Sequence, residues 1–276
     1  MHEDLLVYFR KYEQHLEHYL ALCIEQTDPE NVHQLRVSIK RMRAVLQFTG
    51  QVVGHEDIVA KKQLKSLRKL FKVAGGIRDV QVQLKLIPEY ESAMNLRFQQ
   101  YLAYLEKLER HAVKNFYSFV EDAKPIHKLD SGHELIEKSL ALLTDKEIRI
   151  GAEQLLASRC MNIRQMLAER PDDKKLHEMR TVIKQMHYIM SIMRKSAPDM
   201  VEAPVSLASL TEAEDLLGKW HDMVVGTGFL KNFGEKADFL HESEAEHYKI
   251  LTKKLESERL KLRRQIKISL GKSFSS

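Results

Sequence analysis

The segment VHQLRVSIKRMR, residues 32–43, carries one histidine and a run of cations beside an apolar stripe. At about 100° per residue, His33, Arg36, Lys40 and Arg43 fall within about 80° of one another on a helix. Val32, Leu35, Ile39, Met42 and Leu46 form an adjacent stripe suited to packing against partner helices. Cations that border a core stripe sit at the mouth of an interhelical groove. Like charges four residues apart weaken a helix by roughly a few tenths of a kcal/mol. Keeping them together points to an anionic ligand that neutralises them. Arginine suits bidentate phosphate contacts, and lysine supplies a point charge.

The pattern returns later in the chain. LHEMRTVIKQMHYIM from residue 176 repeats VHQLRVSIKRMRAVL from residue 32, and LGKWHDMVV from 217 repeats AGGIRDVQV from 74, at nearly one offset. His177, Arg180, Lys184 and His187 take the angles of the first set, with Leu176, Met179, Ile183, Met186 and Met190 as the apolar stripe. A repeat at this spacing predicts a duplicated four-helix unit. A second basic stripe, Lys61, Lys65, Arg68 and Lys72, lies beside Leu64, Leu67, Leu70 and Phe71. Its counterparts Pro204, Ala208, Thr211 and Asp215 carry no cation. Arg78 and Asp79 follow the Gly75-Gly76 pair, where backbone or ligand can approach closely, and His221 and Asp222 hold the matching places. Arg110 and Lys114, with Arg259 and Arg263 near the end, are weaker additions to the basic surface.

Each of these groups also has a structural reading. A basic helix face is often merely solvated, and the histidines suit a hydrogen-bonded structural role as well as ligand contact. Asp79 and Asp222 suit the task of orienting a nearby Arg or His. Other chemistry finds little support. There is no glycine-rich phosphate loop, no Cys/His zinc spacing and no nucleophile triad. Two ExxH strings, Glu30/His33 and Glu244/His247, match half of a di-iron carboxylate pattern, but Glu30 falls in a first helical turn, where an acid complements the dipole. No cofactor, metal or catalytic residue is expected, and an enzyme is not the reading these residues favour. A nucleic-acid-binding helical protein using the same cations is the alternative, although the stripes lack the interleaved aromatics that stack bases.

The elements that must hold these stripes are helices. Eleven Gly and six Pro in 276 residues leave long uninterrupted stretches with apolar residues at helical spacing. Helices are expected at 2–27, 30–49, 55–87, 89–121, 133–143, 145–169, 173–195, 206–226 and 235–269. The chain is read as one domain of two repeats, four-helix bundles at 1–124 and 133–276 joined by a linker at 125–132. The net charge of +5 falls mostly before residue 130, so a polyanion surface should be stronger there. Cys23 and Cys160 lack a metal or redox spacing and point to a reducing compartment. The acidic start lacks the apolar core of a signal peptide, and no apolar run is long enough to cross a membrane. A cytoplasmic protein with unknown protein partners is expected.

The paired segments, with GGIRDV and LGKWHDMVV, resemble the signature of the CHAD family, the conserved histidine α-helical domain. The resemblance covers nearly the whole chain. It implies an all-α fold of two four-helix bundles related by a pseudo-twofold axis, with basic residues of both halves facing a central groove or pore. It further implies binding of inorganic polyphosphate and association with polyphosphate granules, without a catalytic centre. On this likeness His33, Arg36, Lys40 and Arg43 match the first motif, and His177, Arg180 and Lys184 the second. The second motif of the family usually continues with two more basic residues, where this chain has Gln185 and His187. No ExExK signature of a fused triphosphate-tunnel domain is present, which implies a stand-alone binding domain.

Overall fold

The computed structural model describes residues 1–53, 61–123, 130–141, 143–169, 171–196, 205–235 and 242–274. Among the described residues the protein is all-α, with nine helices and no strand. They are α1 (His2–Glu25), α2 (Pro29–Val53), α3 (Lys61–Met94), α4 (Gln99–Ala123), α5 (Asp130–Leu140), α6 (Asp145–Ala168), α7 (Asp173–Ser196), α8 (Leu207–Gly234) and α9 (Glu242–Phe274). The expected helix start at 55, most of the expected linker and Pro204 lie outside the described residues, and residues 130–132 open α5.

Capping residues set the helix starts that carry the site. Asp28 accepts from the backbone N–H of Glu30 at 2.8 Å and of Asn31 at 3.1 Å, and Pro29 takes the first helical position, where no N–H is needed. Asp172 likewise accepts from the Lys175 N–H at 2.9 Å at the start of α7. Thr144 and Glu147 form a reciprocal capping box for α6.

Two helix ends depart from expectation. Helix α3 runs through Pro88 to Met94. Ile87 and Tyr90 are buried on either side, while Pro88 itself is exposed. Burial on the inner face offsets a proline cost of about 3 kcal/mol. The helix stops at Asn95, whose φ is 52°, and the Leu96 N–H donates back to the Glu91 carbonyl at 3.2 Å. That is a Schellman stop, with asparagine in the place glycine usually takes. Helix α8 continues past Gly226 to Gly234, because Gly226 serves packing and not chain reversal.

Consecutive helices pack on one another within α1–α4 and within α6–α9, and α5 lies against α1 and α2. Helices α2, α3, α7 and α8 meet at the centre through the α2·α7 and α3·α8 contacts. The buried apolar residues form two clusters, and both draw on both halves of the chain. The larger includes Leu35, Ile39 and Met42 of α2, Leu176, Met179 and Ile183 of α7, and the first parts of α3 and α8 as far as Ile77 and Trp220. The smaller begins at Val80 on α3 and Met223 on α8. Between the clusters lie Arg78 and Asp79 on α3, and His221 and Asp222 on α8. A polar layer therefore crosses the molecule where these two helices meet.

That crossing requires a close approach. A Cβ at Gly226 would stand 2.6 Å from the side-chain oxygen of Gln83, which is fully buried and donates to the Asp222 carbonyl at 2.9 Å. Gly226→Val should lower unfolding stability by about 1–3 kcal/mol through overpacking, measured by denaturant titration. A loss no larger than that of Gly228→Val, at an exposed glycine with open space around it, would contradict this packing role.

Candidate anion-binding site

The stripe on α2 and its repeat on α7 face one another. Lys40, Arg43, Ala44 and Gln47 of α2, Phe71 of α3, and Arg180, Thr181, Lys184, Gln185 and Tyr188 of α7 line a cavity of about 200 Å³. The lining brings four cations together from the two repeated motifs. Lys40 and Lys184 are within hydrogen-bonding reach of one another, and Arg36 and Arg180 feel one another's charge. Gln185 and Gln47 bridge α7 and α2 at 3.2 Å.

Phe71 organises the first half of the site. The Arg36 guanidinium lies 4.1 Å from its ring centroid, and Lys40 and Arg43 each stand 5.6 Å from it. An aromatic face attracts cations without cancelling their charge. Arg36 also donates to the Phe71 carbonyl at 3.0 Å. It can do so because α3 has no side chain at Gly75, where a Cβ would fall 2.3 Å from a guanidinium nitrogen. The close approach foreseen at this glycine is therefore made by an arginine of the neighbouring helix. Arg41, in the same run but off the stripe, turns the other way and stacks on Tyr12 and Tyr188.

Bringing these cations out of water strains their protonation. Burial, with Lys184, Arg36 and Arg180 alongside, pushes the Lys40 ammonium down to about 6. Burial lowers the Arg36 guanidinium to about 10 and also lowers Arg43, Arg180 and Lys184. Burial raises the carboxyls of Asp79 and Asp222 against the opposing pull of the arginines. Arg36 is the strongest charge acting on Asp79, and Arg180 on Asp222.

The remaining residues separate by position. His33 is partly buried beside Arg78, and burial lowers its affinity for a proton. His177 packs on Trp220 at 4.7 Å and on His221 at 5.2 Å. Burial and Arg180 hold His221 neutral, with its proton affinity lowered to about 3, and its buried Nδ1 has no hydrogen-bond partner. Arg78 donates to the Pro29 carbonyl at 3.1 Å and lines a different cavity, of about 640 Å³, with Asp222, Lys85 and Lys219. Of the second stripe, Lys65, Arg68 and Lys72 are exposed on α3, and Arg68 lies near enough to Arg43 to depress it. The side chain of Lys61 lies outside the described residues. Lys114 is exposed, and Arg110 pairs with Glu106 at 3.9 Å on the outer face of α4. Arg259 and Arg263 tie α9 to the start of α7, through Asp173 at 3.3 Å and the Pro171 carbonyl at 2.7 Å.

The ExxH strings are engaged elsewhere. Glu30 accepts from Gln34 at 2.6 Å, and Glu244 accepts from the Gln100 N–H at 2.9 Å. Among the described residues no group of three or more His, Cys, Asp and Glu could hold a metal. Both cysteines are free and buried, and no helix among the described residues is long and apolar enough to cross a membrane. Sequence reasoning missed Glu214, which lies on α8 and whose carboxylate stands 2.8 Å from His187 Nδ1. It also missed the tyrosines around Arg41. The signal for Glu214 was the repeat itself, since the offset of the second motif carries position 71 onto position 214.

The family model of the CHAD domain matches residues 7–231. The chain belongs to the CHAD family. Some members of this family bind polyphosphate. No curated protein matches the chain. Among solved structures it is similar to the CHAD domain from the plant Ricinus communis, at 18% identity and a TM-score of 0.74, over 98% of this chain and 91% of that one. It is also similar to PptA from Streptomyces chartreusis, at 15% identity and a TM-score of 0.64, over 98% of each chain. At these identities the likeness is one of CHAD fold.

The depressed lysine makes stability depend on pH in a definite direction. The unfolded chain keeps a proton on Lys40 up to its ordinary 10.5, the folded chain only up to about 6. The unfolded state therefore binds more protons between those values, and stability rises with pH across that window in the absence of an anion. Lys40→Met should make that rise in melting temperature shallower. An unchanged slope would mean that the ammonium is fully solvated.

Proposed function

We propose that this CHAD protein is a non-catalytic receptor for inorganic polyphosphate, held between α2, α3 and α7. The observation that carries the reading is the cavity where Lys40 and Arg43 meet Arg180 and Lys184. Such a gathering of cations carries a standing cost of repulsion and desolvation, which a linear polyanion removes along its length. Polyphosphate offers repeated phosphate oxygens and no base edges, and the lining offers cations, amides, one threonine hydroxyl and two aromatic rings. From the cavity the anion would run outward past Arg43 to the exposed Arg68 and Lys72, the side on which the sequence also concentrates its positive charge.

Duplication of a four-helix unit accounts for the arrangement. Residues one repeat apart act on one another's charge: Arg36 and Arg180, Lys40 and Lys184, Asp79 and Asp222. Gln83 meets Gly226, and Gln100 meets Glu244. Self-pairing of this kind is what a pseudo-twofold axis between two bundles produces. The protein would act by attachment to polyphosphate granules in the cytoplasm, with no chemical step at the site.

Charge reversal tests the reading. Arg36→Glu with Lys40→Glu should weaken binding of long-chain polyphosphate by about a hundredfold or more, since opposed buried charges cost several kcal/mol. Arg180→Glu with Lys184→Glu should cost less, because the first half retains Phe71 and the exposed α3 stripe. Binding can be followed by calorimetry, with circular dichroism to verify that both variants stay helical. Equal losses would show that the halves contribute alike, and no loss in either would remove the site.

A further inference from the structure

The two halves of the site differ in how their cations are balanced, and one position makes the difference. In the first half, Arg36, Lys40 and Arg43 gather around the ring of Phe71. Its counterpart one repeat later is Glu214. Glu214 stands on α8 against the stripe of α7, with its side chain only 17% exposed. One carboxylate oxygen lies 2.8 Å from His187 Nδ1. The other is buried without a hydrogen-bond partner. Its charge acts on Arg180, Lys184 and Lys40. A buried carboxylate oxygen left unpaired costs free energy, which the charges of Arg180, Lys184 and Lys40 acting on it help to offset.

We propose that Glu214 is an internal counter-anion: it neutralises the second half of the cation cluster, sets the affinity for an incoming phosphate chain, and directs that chain toward the Phe71 half. This rests on the polyphosphate reading and names the residue that tunes it. An incoming anion must share Arg180 and Lys184 with a carboxylate already fixed behind them, whereas at Phe71 it meets cations held by a neutral ring. The duplicated stripe is therefore used unequally, although its sequence is repeated. His187 holds the carboxylate in place, which accounts for a histidine where the first stripe has Arg43.

The test is Glu214→Gln, which keeps size and an acceptor for His187 but removes the charge, beside Glu214→Phe, which copies the first half. In the full chain, Glu214→Gln should bind long-chain polyphosphate about tenfold more tightly than the native protein, because a like charge leaves the site. The slope of log affinity on log salt should steepen by about one, for one further cation freed to meet phosphate. Unchanged or weaker binding would overturn the proposal. A second measurement needs no polyphosphate. In low-salt buffer free of multivalent anions, Glu214→Gln should melt below the native protein and recover more than it when sulfate is added. Equal melting and an equal response to sulfate would overturn the proposal by itself. Absence of polyphosphate binding by the native protein, with the sulfate difference intact, would instead overturn the functional reading and leave Glu214 as the counter-ion of the cluster.

Discussion

Lys40 and Arg43 on one helix face Arg180 and Lys184 on another across a cavity of about 200 Å³. Mutual repulsion and lost hydration oppose that arrangement, so the fold must hold it from outside. It does so with two apolar clusters on either side of a polar layer, tied through the α3·α8 crossing. Leu35, Ile39 and Met42 are almost wholly buried on α2, as are Met179, Ile183 and Met186 on α7. Each contributes roughly 1.5–3 kcal/mol on burial, ample to fix the helix faces that carry the cations. Removing the charges from such a frame would leave it standing. Removing the frame would let the cations part.

Local compensation explains why the cluster survives without a ligand. Phe71 receives three cations on its face, the gap at Gly75 admits the Arg36 guanidinium, and the charges of Asp79 and Asp222 act on the arginines. Lys40, Arg43 and Lys184 meanwhile line the cavity. The site is thus preorganised by neighbours that stabilise its charges.

Much of this was legible in the chain because it rests on periodicity. The α2 stripe and its α7 repeat declare their shared face through three- and four-residue spacing, and Asp28-Pro29 and Asp172 mark the helix starts by capping chemistry. What escaped the sequence depends on tertiary contact. Pro88 reads as a boundary, yet burial of Ile87 and Tyr90 carries α3 through it, and Asn95 ends the helix by adopting a left-handed backbone. The helix expected to end at 226 continues, and Gly226 is the gap through which α8 approaches Gln83. Arg41 lies within the basic run but is engaged by the rings of Tyr12 and Tyr188. Arg259 and Arg263 read as surface cations and prove to be ties between α9 and α7. Glu214 carries no local sign of its role, and only the repeat offset, which sets it in the place of Phe71, marks the position.

The central claim is that the cavity reads a linear phosphate chain and not polyanions in general. Its most direct test is a salt series of the native protein with long-chain polyphosphate beside single-stranded DNA of matched charge. The account predicts that log affinity for polyphosphate falls linearly with log salt, as release of bound counter-ions requires, and that polyphosphate remains the tighter ligand at physiological salt. Equal affinity for DNA throughout the series would contradict the account, reducing the paired stripes to a generic basic surface.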